Sequence, residues 1–267
     1  MLSINKIALF LFFVGLSSIA GSAQSAAFRF RPERVTVGTV YHYVKTNTDG
    51  TYPENISLYI ATKDRIEAFK FHEKGTQAGL VIAEMDRDGS FAKKLESFQV
   101  FSKDDRRLFA TLTYDPPSKS VEVSIPAIKA EKELVKIDRL PFHLFNFDLA
   151  SLNISFPHLV DPKKSFTVGV ADPTFKAEGP MFGYRGDLKV EYLRDEMRNG
   201  VKCRLYAASG AGIGGKGQIW VNNKGNYIED MEFDVANNPD WKTFKLKLLK
   251  TEKLGADGWQ RFIAAHF

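Results

Sequence analysis

The chain has 267 residues, 44% hydrophobic and 13% aromatic, and a formal charge of +5 from 37 basic and 32 acidic side chains. Such an apolar share supports a packed core and excludes a disordered chain, while a mild charge without long like-charge blocks argues against a nucleic-acid partner. A single cysteine excludes an intramolecular disulfide framework.

The first 27 residues read as a cleavable signal peptide. Lys6 precedes the unbroken apolar run Ile7 to Leu16, and small residues follow, with cleavage expected after Ala23 or Ala27. The run is too short to span a bilayer, and Cys203 lies too far away to be acylated at the cleavage site. The expected mature protein is exported to the periplasm, does not span the membrane, and forms a single β domain over residues 28–267.

Beyond the leader, apolar and polar residues alternate with the period of two that marks strands. Val35, Val37, Thr39, Tyr41 and Tyr43 share one face, and Asp49-Gly50 marks a turn. Further strands are expected at Ile56 to Ile60, Arg65 to His72, Leu80 to Met85, Phe91 to Phe101, Arg107 to Tyr114 and Val121 to Ile125. Residues 126–165 differ: Pro126, Pro141, Pro157 and Pro162 interrupt them, and the stretch starting at Pro141 is the most apolar of the mature chain. Asp148 is placed to cap a short helix, with Leu149, Leu152, Phe156 and Leu159 forming one apolar stripe and Pro157 ending it. This segment is expected to lie across a sheet.

Strands resume at Phe166 to Val170, Leu188 to Arg194, Val201 to Ala208, Gly217 to Asn222, Tyr227 to Val235 and Thr243 to Thr251, with a final strand at Trp259 to Ile263. Asn199-Gly200 is a strong hairpin signal. Short turns and missing helical crossovers favour antiparallel pairing. The expected fold is all-β and mainly antiparallel: a strongly curved sheet or half-barrel of about 11–13 strands with one or two short helices in the middle.

Few motifs carry chemistry. Gly210, Gly212 and Gly215 satisfy G-x-G-x-x-G, and Lys216 nearly completes a P-loop. Phosphate binding needs a helix directly downstream, however, and here the strand-like Ile219-Trp220-Val221 follows. A flexible hairpin, or a flap at a cavity mouth, is the simpler reading. His143, Asp148, His158 and Asp161 lie close in sequence and include acid–base and metal-ligating types. No metal or nucleophile spacing accompanies them, so neither a metal nor another cofactor is expected. Cys203 alternates with Val201 and Leu205 and should be a buried, unreactive thiol. Asp230, Glu232 and Asp234 are expected to face Lys245 and Lys247 across a hairpin, neutralising the basic strand. Two Asn-x-Ser triplets, at Asn55 and Asn153, carry no weight.

The segments TVYHYVKTNTDGTYPENI, PFHLFNFDLASLNISFPHLVDP and GQIWVNNKGNYIEDMEFDVANNPDWKTFKLKLL together resemble a periplasmic family of Gram-negative bacteria with no assigned function. Trp220, Asn238-Pro239 and the Phe244, Leu246, Leu248 strand carry the likeness. These are structural motifs and transfer no catalytic residues. The expected architecture is also similar to the half-barrel of the lipoprotein carriers LolA and LolB, which implies a lipid or other hydrophobic ligand in the concavity. Phe142, Leu144, Phe145, Phe147, Leu149, Leu152, Phe156 and Trp220 are the candidate lining. Two alternatives stand beside this non-enzymatic binding role: an envelope assembly module binding another protein, and a hydrolase centred on His143 and Asp148.

Overall fold

The computed structural model describes residues 27–87, 91–126, 128–144, 149–174, 179–235 and 239–267, and only the backbone of residues 129, 130 and 144. The signal-peptide reading of the leader therefore lies outside the described residues, as do Phe145, Phe147 and Asp148.

Fifteen strands form one sheet. Eight run outward in sequence order: β1 (Thr39–Thr46), β2 (Glu54–Ile60), β3 (Arg65–Phe71), β4 (Ala78–Asp86), β5 (Phe91–Val100), β6 (Arg106–Asp115), β7 (Ser120–Ile125) and β8 (Lys129–Lys136). The chain then crosses to the opposite edge and returns through β9 (Phe142–Leu144), β10 (Phe166–Pro173), β11 (Phe182–Arg198), β12 (Val201–Gly210), β13 (Gly215–Asn222), β14 (Ile228–Phe233) and β15 (Phe244–Lys253). β15 pairs with β1, so the two meanders join at the centre and β8 and β9 are the edges. Every pairing is antiparallel except β9 with β10.

The hairpins follow their turn residues. Asn199 and Gly200 join β11 to β12 with φ of 52° and 77°, the left-handed pair that suits the twist of a two-residue turn. In the β14–β15 hairpin Asp230 faces Lys247 and Glu232 faces Lys245, as the alternation predicts. Lys245 lies 2.7 Å from Glu232. Asp230 instead takes Arg198 at 2.7 Å and is buried; burial pushes its carboxyl pKa up while Arg198 opposes the rise.

The sheet curls far enough for the β8 edge to reach β11, two strands in from the β9 edge, through a side chain. The Glu133 carboxylate on β8 accepts the N–H groups of Met181 (2.9 Å) and Phe182 (3.2 Å) at the start of β11. This pins β8 to the start of β11 without a ladder between them, so the barrel is nearly but not fully closed.

Three expectations need correction. The strand count is fifteen, because β8 and β9 lie within the stretch read as a connecting segment. Residues Trp259 to Ile263 are not a strand: they belong to helix α2 (Ala256–Ala264), so one helix is C-terminal rather than central. Trp259, Phe262, Ile263 and His266 recur at helical spacing. This face covers a second core on the convex side of the sheet, formed with Val40, Tyr59, Phe69, Leu80 and Ile82. There Trp259 stacks on Tyr59 at 4.9 Å and its indole N–H donates to Glu67 (2.7 Å).

Candidate functional site

A sheet of this width encloses more space than its own inward side chains can fill. One segment, of which residues 141–144 and 149–159 are described, supplies side chains that fill the rest. Phe142 packs against Phe91 (5.2 Å) and Tyr114 (5.6 Å) from the outgoing meander. Leu149, Leu152, Ile154, Phe156 and Leu159 are all buried in the same cluster. The helical part is short: α1 (Leu152–Ser155) runs into a 3-10 turn over Phe156–His158, where Pro157 ends regular helix as expected. The four residues of the predicted stripe are all inside.

Polar groups taken into an apolar interior must find partners, and in this segment they do. Asn153, noted above only as part of an Asn-x-Ser triplet, is the central pin. Its Oδ1 accepts the Ile228 N–H (2.7 Å), and its Nδ2 donates to the Tyr43 hydroxyl (2.5 Å), which in turn donates to the Ile228 carbonyl (2.9 Å). A β-bulge between Trp220 and Val221 breaks the β13–β14 ladder beside Ile228. Burial holds the Tyr43 phenol well above its ordinary pKa.

His143 and His158 have separate duties. His143 Nε2 accepts the Leu149 N–H (3.3 Å), which leaves the ring proton on Nδ1, 2.5 Å from the Ser151 hydroxyl. In this tautomer Nδ1 donates and Ser151 accepts, the reverse of what a base activating a serine must do. His158 Nδ1 accepts the Arg31 N–H (3.2 Å). Burial, reinforced by Arg87, Arg34 and Arg31, lowers its pKa to about 4. Asp161 accepts the N–H of Lys163 in an exposed turn. These three residues of the candidate cluster thus engage different partners. Among the described residues, no group of three or more His, Cys, Asp or Glu side chains is placed to hold a metal ion.

Both ends of the filling segment are held. At its C-terminal end the strap over residues 27–34 runs alongside: Arg29 N–H donates to the His158 carbonyl (2.8 Å), Val160 N–H to that of Ala27 (3.0 Å), and Arg34 Nη1 to that of Pro157 (2.7 Å). Its N-terminal end is held by the parallel pairing of β9 with β10, where Gly169 N–H donates to the Pro141 carbonyl (2.8 Å); the glycine-rich hairpin between β12 and β13 folds back over β11, with Gly212 N–H donating to the Asp187 carbonyl (2.9 Å). A Cβ on Gly212 would meet Val170 at 2.8 Å and the Gly186 carbonyl at 2.9 Å, so the close approach requires glycine. Ile213 at its tip packs into the main core. The strand β13, not a helix, follows.

The space left is small. A void of about 20 Å³ lies between Phe91, Phe142, His143 and Leu152, and one of about 30 Å³ between His143, Leu149, Ile213 and Phe244. Each has room for a water molecule or two. Of the candidate lining, Phe142, Leu149, Leu152 and Phe156 come together in the hollow. Leu144 lies on β9, and Phe145 and Phe147 fall outside the described residues. Trp220 is not in the hollow. Its neighbours Ile219 and Val221 face inward, so Trp220 faces out, in a small convex cluster with Cys203 and Leu205. Arg198 covers its ring at 3.9 Å and Glu196 accepts its N–H at 2.6 Å. Cys203 is buried there, its thiol pKa pushed up to about 11 chiefly by burial.

No family model and no curated protein matches the chain. Solved structures with a similar fold include a β-barrel-like protein of the domain of unknown function DUF1849 from Brucella abortus. It is 10% identical over 81% of this chain and 98% of that one, with a TM-score of 0.45. Another is a putative outer membrane lipoprotein-sorting protein domain from Vibrio parahaemolyticus, 8% identical over 85% of this chain and 91% of that one, with a TM-score of 0.25. Neither likeness is close enough to carry a role over to this chain.

Proposed function

We propose that this is a non-enzymatic periplasmic protein that binds a lipid or other hydrophobic ligand inside its curled sheet. The signal-peptide pattern of the leader supports export, and the apolar hollow supports a site for such a ligand. In this reading Phe142 and residues 149–159 occupy the ligand's place, since voids of 20 and 30 Å³ hold no lipid. Binding therefore requires this plug to move aside.

One observation supports a displaceable plug. Between Leu149 and Phe156, Asn153 is the one side chain hydrogen-bonded to the central strands; Ser151 bonds back to His143 and the rest is apolar contact. Apolar contact with Leu, Ile and Phe side chains exchanges readily for contact with an acyl chain of similar bulk. The test is native mass spectrometry of protein gently released from the periplasm. A co-purifying lipid, lost when Phe142 and Leu152 are replaced by charged residues in variants that still fold, supports the reading. Protein that is always empty and takes up no lipophilic probe overturns it.

The filled hollow itself favours a second reading, in which the segment is permanent core and the protein is an envelope module that contacts a partner through its outer surface. Crosslinking to one envelope protein, with no lipid bound, would establish that reading.

A further inference from the structure

We infer that the face formed by the N-terminal strap and the turn after the plug docks on an anionic lipid bilayer. The antiparallel bridge between Phe28 and Leu159 brings together two basic stretches far apart in sequence. Arg29 and Arg34 are exposed on the strap, Arg31 is half-buried beside them, and Lys163 and Lys164 are exposed on the adjoining turn. None of the five forms an ion pair among the described residues. Elsewhere many basic side chains are matched, as in Lys132 with Glu122, Arg107 with Asp105 and Lys189 with Glu191. Two carboxylates, Glu33 and Asp161, accompany the five cations, and Asp161 is occupied by the N–H of Lys163.

The occupant follows from what lies among these charges. Val160, 50% exposed, follows the bridge beside Ala27, between Arg29 and the two lysines, and Pro32 is exposed on the strap between Arg31 and Arg34. A soluble polyanion would satisfy the cations and leave those groups in water. The boundary between anionic headgroups and acyl chains takes up both. Nothing here depends on a ligand in the hollow. The same strap holds the C-terminal end of the plug, however, so docking would place the bilayer against the part of the molecule that must loosen if the plug moves.

Co-sedimentation with vesicles tests the proposal, comparing phosphatidylcholine alone with phosphatidylcholine containing phosphatidylglycerol. The protein should bind the anionic vesicles and not the neutral ones, with affinity falling as salt is raised. Each exposed cation near such a surface contributes about fivefold, so the triple variant R29Q/K163Q/K164Q should bind about 100-fold more weakly. The variant K74Q/K202Q/K242Q removes the same charge from other exposed positions and should bind as the unaltered protein does. Equal loss in both variants would reduce the effect to net charge and overturn the proposal. So would equal binding to neutral vesicles, or binding to heparin with none to anionic vesicles.

Discussion

Replacing Asn153 by alanine removes the side-chain hydrogen bonds that tie residues 149–156 to the central strands. The Ile228 N–H, which donates at 2.7 Å, is left buried without an acceptor, and the Tyr43 hydroxyl loses its donor at 2.5 Å. Tyr43 still donates to the Ile228 carbonyl, so that part of the triad survives. An orphaned buried donor costs about 1–3 kcal/mol, and the small space left by the truncation adds to it. We expect Asn153→Ala to lower stability by ~3 kcal/mol in urea unfolding. Hydrogen exchange should show the loss concentrated at residues 149–159 and at Ile228. Amides of β2 to β4 under α2 should change only as far as global stability does, because Trp259 and its neighbours form a separate core. A loss below ~1 kcal/mol, or uniform deprotection, would refute the claim that this side chain anchors the plug.

Other predictions follow from the same geometry. His158 is protonated near 6.5 when unfolded and near 4 when folded, so between those values the unfolded chain binds more protons. Its stabilising contribution is complete above pH 6.5 and lost as the pH falls towards 4. The urea midpoint should drop over that range by the equivalent of at most ~3 kcal/mol, and His158→Gln should flatten that part of the profile. Gly217→Ala places a Cβ 1.7 Å from the Phe233 ring and 2.3 Å from the Glu232 carbonyl, and should cost several times more than Gly214→Ala. The latter has open space and only its φ of +69° to oppose it, roughly 1 kcal/mol by thermal unfolding. Trp220→Ala should destabilise the protein by ~3 kcal/mol yet leave uptake of a lipophilic probe unchanged, because the ring lies on the convex face. Reduced uptake at equal foldedness would put that side chain back in the hollow.

Much of the architecture was legible because each hairpin carries its own signals. Asn199-Gly200 fixes its turn, and the acids of β14 meet the lysines of β15 in the register that alternation predicts. β8 escaped notice because its sequence, Lys129–Lys136, is mostly charged and shows no clean alternation: Leu134 is exposed, Val135 alone of the pair enters the main core, and Glu133 adds a polar pin. Helix α2 escaped because five residues from Trp259 to Ile263 fit either period, and only the convex core decides between them. The composition between Pro141 and Pro157 marked an apolar segment expected to lie across the sheet, and its described residues Phe142, Leu149, Leu152 and Phe156 are buried in the main core. The segment's anchor was not legible, since an asparagine shows no sign of its role until the fold sets it beside a bulge. Trp220 was misassigned because an aromatic in a strand gives its alternation but not which face is the inner one.

The central claim, that residues 141–159 stand where a hydrophobic ligand would sit, is tested most directly by hydrogen exchange during titration with a lipophilic probe. Saturable binding is expected, with faster exchange confined to residues 149–159 while the strands around them keep their protection. Saturable binding that leaves those residues as protected as before, or uptake only once the whole sheet unfolds, would contradict it.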